Sequence, residues 1–248
     1  MKKTVSLIIV HWNTLDLLET LLTNLGKSDE IEILVVDNHS ENFLSETQLK
    51  KYPAVTFLIN QENKGFATAC NQGAAKATGK WLLFLNPDVQ ITASEVLKMV
   101  DYAEVNHLDA LSPNPDSDAY AKPLPSPISL LLEFTPLGKL VPASKTTRKT
   151  LTGGCLLIKK TILDQIGSWD EDFFLWFEDS DLTKRLYDAN YVVGWYPKPI
   201  THQGAGSIKQ LSNVEQKELF FHSMQLYASK HFNLFGRLIV KLISSWNF

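Results

Sequence analysis

The densest chemical signal in this 248-residue chain lies between Thr161 and Thr183. Seven carboxylates (Asp164, Asp170, Glu171, Asp172, Glu178, Asp179 and Asp181) occur there without a single Lys, Arg or His. An acidic run is ordinarily a solvated face. Here Phe173-Phe174-Leu175-Trp176-Phe177 interrupts it, and five such side chains must be buried, which draws Glu178 and Asp179 towards the protein body. Carboxyl groups held beside apolar surface and beside each other acquire raised pKa values, a property suited to a general base.

Other candidates are scattered along the chain. Asp88 closes Asn86-Pro87-Asp88, with no basic residue between Lys80 and Lys98. A carboxylate there can hold Mg²⁺ or Mn²⁺ against a diphosphate, because hard cations take oxygen ligands and need few from protein; the plainer reading is a Pro-Asp turn. Asp37, at the end of an apolar run, is either an acceptor for a nucleobase or ribose, or a helix cap or turn residue. Trp12 is a stacking face or a core aromatic. Asn63-Lys64-Gly65 precedes an Ala-rich segment containing Asn71, and Lys64 with the first N–H groups of a helix could meet an anion. Neither GxxxxGK[ST] nor GxGxxG occurs, which disfavours a P-loop enzyme and a standard dinucleotide fold. His202 sits in Thr201-His202-Gln203-Gly204-Ala205-Gly206-Ser207, either as a surface loop residue or as a ligand closing over a site.

The elements that must position these residues alternate. Continuous apolar runs at Val5–Val10, Ile31–Val36, Val55–Ile59 and Trp81–Leu85 predict strands buried on both faces. Between them, Leu15, Leu18, Leu21, Leu22 and Leu25 recur at helical spacing, and helices are predicted over Phe66–Thr78 and Ser94–Val105. Strand and helix in turn imply an α/β, doubly wound, mostly parallel sheet, whose ligands bind at the carboxyl ends of the strands. The candidates at 11–13, 37–38 and 86–88 fall there. Pro113 to Arg148 holds seven prolines and no clear period, and is read as a surface excursion. Beyond it, strands are predicted at Leu156–Ile158 and Tyr191–Trp195, and helices at Thr161–Ile166, Glu178–Ala189 and, from the capping box Ser212-Asn213-Val214-Glu215, towards Lys230.

Composition narrows the class. With 24 Lys+Arg against 27 Asp+Glu the chain is near neutral, which argues against a nucleic-acid binder. No run of about 18 apolar residues occurs, so a spanning helix is not expected. The start, MKKTVSLIIVHWN, lacks a small-residue cleavage site and reads as a strand rather than a leader. Cys70 and Cys155 form no CxxC and read as buried thiols in a reducing cytosol.

Taken in order, VSLIIVHWN, ILVVDNHSEN, NKGFATACNQGAAKATGKWLLFLNPDV, LTGGCLLIKK, IGSWDEDFFLWFEDSDLTKRL and HQGAGS resemble the family 2 inverting glycosyltransferases of the GT-A fold, with a likeness to the bacterial rhamnosyltransferase-like branch that builds surface polysaccharides. The resemblance runs from Val5 to Ser207 and implies roles. Trp12 and Asp37 would contact the base of a nucleoside-diphosphate sugar, with Asn63, Gly65 and Asn71 shaping the same pocket. Asn86 and Asp88 stand where the family has its Asp-x-Asp motif, Asp88 as metal ligand and Asn86 in place of the first Asp. Gly153 and Gly154 would pass close to sugar or acceptor. Glu178-Asp179 matches the family's Glu-Asp pair with Asp179 as base, and His202 matches a histidine that completes the metal site in some members. The metal implied is Mg²⁺ or Mn²⁺. The donor implied is dTDP-rhamnose or a UDP-hexose, and the acceptor a glycan or lipid-linked hydroxyl. The expected organisation is a GT-A domain over 1–211, with a nucleotide-sugar half (1–112) and an acceptor half (113–211), followed by a helical tail over 212–248.

That tail changes the charge picture. Residues 219–248 contain Lys230, Arg237 and Lys241 and no Asp or Glu, so the chain divides into a body at −6 and a tail at +3. Phe232–Phe248 reads as a helix lying on the domain, on a second subunit as in a homodimer, or on the cytoplasmic face of a membrane. Two other readings of the whole chain stay open: a nucleotidyltransferase, which would need a basic phosphate-gripping loop that VHWNTLD lacks, and a non-catalytic nucleotide-sugar binder of the same fold.

Overall fold

The computed structural model describes residues 3–114, 122–139, 148–200, 207 and 210–247. Its centre is a seven-stranded sheet: β1 (Val5–His11), β2 (Ile31–Asp37), β3 (Val55–Ile59), β4 (Trp81–Leu85), β5 (Ala110–Pro113), β6 (Cys155–Lys159) and β7 (Val193–Tyr196), in the order β3-β2-β1-β4-β6-β5-β7. β3, β2, β1 and β4 run parallel, β6 is antiparallel to both β4 and β5, and β7 is parallel to β5.

Successive side chains of a strand point to opposite faces, and both faces are covered. On one, Leu7, Ile9, Leu83 and Leu157 meet Leu18, Leu21 and Leu22 of α1 (Leu15–Leu25) and Val96, Met99 and Val100 of α4 (Ala93–Val105). On the other, Ile8, Val10, Leu82, Phe84 and Leu156 meet α3 (Phe66–Lys76), Leu163 of α6 (Lys160–Gln165) and Leu182 and Leu186 of α7 (Glu178–Asp188). The close approach of α3 needs its small residues: a Cβ on Gly73 would collide with Ile8. α2 (Glu46–Leu49) is a single turn held by a Ser45 capping box.

Three elements depart from the sequence reading. β5 is absent from it, because Ala110-Leu111-Ser112-Pro113 is too short to announce itself and becomes a strand through pairing with β6 and β7. The described part of the Pro-rich stretch, residues 122–139, holds regular structure that its sequence did not announce. Ser126 caps α5 (Pro127–Phe134), which begins on a proline, a 3₁₀ turn follows at Pro136–Lys139, and Pro123 bridges Lys149. β7 starts two residues later than the predicted strand and ends one later.

Beyond residue 212 the chain forms α8 (Asn213–His231) and α9 (Leu234–Asn247). They share a third core with α5 and the aromatic segment before α7. There Leu130, Phe173, Phe177, Phe221, Met224, Tyr227, Phe232, Val240 and Ile243 are buried together.

Candidate active site

A cavity of about 1100 Å³ opens at the carboxyl edge of the sheet. Val10 and Trp12 reach it from the end of β1, and Asn86, Pro87 and Asp88 from the end of β4. The antiparallel strand explains a third contribution. Because β6 runs against β4, with Cys155 opposite Leu85, the residues entering β6 lie at the edge where β4 ends. Thr152, Gly153 and Gly154 therefore line the same cavity, and the Asn86 N–H donates to the Gly154 carbonyl at 2.9 Å.

Glu178 and Asp179 enter from the first turn of α7. The turn before them is unusual: Trp176 and Phe177 both have left-handed backbones, at φ 65° and 64°. For a residue with a Cβ this conformation costs about 1–2 kcal/mol, so the surroundings must impose it. α8 does so. Phe220 packs on both rings, with centroids 5.8 and 5.3 Å away, and Ser223 Oγ donates to the Leu175 carbonyl at 2.7 Å. On the other side Phe66 N–H donates to the Phe174 carbonyl at 2.9 Å. That approach requires Gly65, at φ 81°, where a Cβ would lie 2.7 Å from the same carbonyl oxygen.

The acidic segment sorts itself by partner. Lys160 takes Asp164, Lys230 takes Asp170 and Asp172, and the Asn71 amide takes Glu171. Asp181, fully buried, is clamped between His231 (2.7 Å) and Arg185 (2.6 Å). Burial alone would raise its pKa, but these two partners outweigh burial and hold it low. Glu178 and Asp179 are left to the cavity. Burial, and then the neighbouring Asp179, push Glu178 up to about 8. Its Oε2 is buried without a hydrogen-bond partner, as befits a neutral acid. Asp179 is also raised by burial, opposed by N–H donors from Gly153 (3.4 Å) and Ser180 (2.7 Å). Burial thus raises both carboxyls, and a doubly charged pair is disfavoured.

Trp12, Asn63, Gly65, Asn86, Asp88, Gly153, Gly154, Glu178 and Asp179 thus surround one cavity. Asp37 and Asn71 are not in its lining. The Asp37 carboxylate accepts from the Ser40 N–H at 3.3 Å and faces His11 Nε2 at 3.7 Å. Burial lowers that histidine to about 4 despite the pull of Asp37, so it is neutral. The neighbour of Asp37 lines the cavity instead: Asn38 donates to Asn63 Oδ1 (2.7 Å) and to the Gly65 carbonyl (3.1 Å). Asn71 bonds both the N–H and the carbonyl of Trp169, and so fastens α3 to the acidic segment. At the start of α3, where an anion could be met, the first helical N–H donates to the Phe174 carbonyl, and Lys64 is not in the cavity lining. His202 lies outside the described residues.

The sequence reading missed a whole wall. Glu215, Glu218, Leu219, His222 and Gln225 of α8 close the cavity opposite the sheet edge. Their spacing of three and four residues was a usable signal of one helical face, but the capping box had assigned Glu215 only to the helix start, a role it also fills.

Comparison with known proteins follows this geometry. The profile described as Glycosyl transferase family 2 matches residues 6–167. The chain belongs to that family. Among similar proteins, the N-acetylglucosaminyl-diphospho-decaprenol L-rhamnosyltransferase of Mycobacterium tuberculosis is 28% identical over 223 residues, covering 77% of this chain and 73% of the relative. The low-salt glycan biosynthesis hexosyltransferase Agl10 of Haloferax volcanii is 23% identical, covering 76% of this chain and 63% of the relative. The poly-beta-1,6-N-acetyl-D-glucosamine synthase of Staphylococcus aureus is 24% identical, and this chain spans only 48% of its length. The mannosyltransferase PcManGT from Pyrobaculum calidifontis, solved with GDP-Man and Mn²⁺, superposes with a TM-score of 0.65 at 16% identity, over 93% of this chain and 64% of that one. S. aureus TarS 1-349 with UDP-GlcNAc gives 0.61 at 17%, over 99% and 73%. The fold of this family 2 glycosyltransferase is accordingly GT-A, an α/β architecture around a mixed, mostly parallel sheet.

The donor set at the cavity suits a hard divalent cation. Asp88, Glu178, Asp179, Glu215 and Glu218 line it, and among the described residues no Lys or Arg does. An added cation would offset the repulsion between these carboxylates and a diphosphate. Among the described residues no cluster of three His, Cys, Asp or Glu forms a cage for a metal by itself, the expected situation where phosphate oxygens complete the coordination.

Proposed function

We propose that the protein is a metal-dependent, inverting transferase. It moves a sugar from a nucleoside-diphosphate donor, dTDP-rhamnose or a UDP-hexose, to a hydroxyl of a glycan or lipid-linked acceptor in bacterial surface polysaccharide synthesis, in the cytoplasm. The observation that carries this is the placement of Asp179, with Glu178, in the same acidic cavity as Asp88 and Gly153-Gly154, while Asp170, Glu171, Asp172 and Asp181 are engaged elsewhere.

Trp12, Asn38 and Asn63 form the side of the cavity that receives the nucleotide. Asp37 shapes it through the Ser40 turn, and Asn71 through the position of α3. Asp88, with His202 in the role that the resemblance implies, would hold Mg²⁺ or Mn²⁺, which supplies positive charge for the donor diphosphate. Asp179 accepts the proton of the acceptor hydroxyl as its oxygen bonds to the anomeric carbon from the face opposite the diphosphate. The bond from that carbon to the diphosphate oxygen breaks, and the configuration inverts in one displacement. Glu178, held as the neutral acid, keeps a second charge away from the base. The raised pKa of Asp179 brings it nearer the pH at which it works. The wall of α8 would contact the acceptor.

A donor panel read by thermal shift tests this reading, since a ligand that binds only the folded state raises its stability. A shift with one nucleoside-diphosphate sugar that requires Mn²⁺ is the expected result. Equal melting temperatures with every donor, with and without Mn²⁺, would contradict it.

A further inference from the structure

α9 presents two opposed apolar faces. Val240, Ile243 and Ser244 are buried against α5 and α8. On the other side Phe235, Leu238, Leu242 and Trp246 are 72, 54, 63 and 82% exposed, and their spacing of three, four and four residues aligns them in one stripe along the helix. Leu234 extends the stripe at the helix start and is 84% exposed. Four large apolar side chains in a row on the outside of a folded chain mark a contact surface, unlike single exposed ones. Lys241 and Arg237, both exposed, lie on the polar flank, and no acid occurs from residue 219 onwards.

We propose that α9 lies in the surface of an anionic lipid bilayer, its Phe235-Leu238-Leu242-Trp246 stripe at the acyl boundary and Lys241 and Arg237 towards the headgroups. A helix with an apolar face, basic polar residues and an indole near one end has the chemistry of an in-plane anchor. The charge also discriminates between occupants. A second copy docking antiparallel through this face would bring the basic flanks of the two α9 helices to the same side, with no acid on either helix to answer them. The helix does not cross the bilayer: no described helix is long and apolar enough. α9 packs on α8, whose opposite side lines the cavity, so the anchor would hold the acceptor wall beside the membrane. This inference rests on α9 alone and is independent of the donor and metal assignments.

The test is co-sedimentation of the full chain with phosphatidylcholine vesicles, with and without phosphatidylglycerol. Wild type, Leu238→Glu/Leu242→Glu and Lys241→Glu are compared, all at exposed positions, with folding of each checked by its thermal unfolding. Wild type is expected to sediment with the anionic vesicles and less with neutral ones. The double variant should lose at least about tenfold in partitioning and Lys241→Glu severalfold, with salt weakening all binding. Wild type remaining in the supernatant, or a double variant that sediments equally, would overturn the proposal. So would a concentration-dependent dimer that the double variant abolishes while vesicles bind neither form.

Discussion

Substitution of Glu178 by Gln probes the electrostatics of the site without touching the residue assigned as base. In the unfolded chain this carboxyl titrates near its ordinary value of 4.5, whereas in the fold burial and Asp179 raise it to about 8. Between these values the native state retains a proton that the unfolded state has released. Stability then falls as pH rises, by about 1.4 kcal/mol per unit for one such group. From about pH 5 to about pH 7.5 this amounts to roughly 3 kcal/mol. Gln keeps the shape of the neutral acid and has no proton to lose, so its stability should be free of that slope. The assay is urea unfolding of wild type and Glu178→Gln across this range, in the presence of a chelator. The expected result is a difference that moves in favour of the variant by about 2–3 kcal/mol towards the higher pH. A difference that stays flat with pH would show that Glu178 titrates alike in both states, and the description of Glu178 as a neutral acid would fail.

Two further substitutions separate roles within the acidic residues. Asp88→Ala should abolish the Mn²⁺-dependent part of donor binding, measured by calorimetry with and without the ion; unchanged affinity would remove Asp88 from the site. Asp181→Asn leaves His231 and Arg185 without their shared carboxylate at a buried position, and should cost about 3 kcal/mol of stability. It should affect metal-dependent donor binding little, and a loss of stability under about 1 kcal/mol would show the clamp to be unimportant.

Much of the architecture is legible in the sequence because β1, β2 and β4 are almost wholly buried and are written as apolar-rich runs, whereas β3, expected to be buried on both faces, is an edge strand of half-buried and exposed residues. The residues at their ends were identified by type. Local sequence, however, does not say which of two adjacent polar residues turns inwards, and so Asp37 was read as lining a pocket that Asn38 lines. Asn71 has a polar side chain in the right helix, but its amide is taken by a segment about a hundred residues away, a contact that only folding brings about. β5 exists through its neighbours. The α8 wall escaped notice because a polar helix face is equally consistent with solvent and with a polar cavity. The left-handed turn at Trp176 and Phe177 carries no glycine or asparagine to announce it, and contacts from α8 and from the start of α3 hold it in place.

The central claim is that Asp179 takes the acceptor proton in a direct displacement. The measurement that reaches it is sugar transfer by Asp179→Asn, with donor affinity determined on the same preparation. Loss of transfer by about 10²-fold or more with donor binding retained is the expected result. Transfer at the wild-type rate would contradict the account.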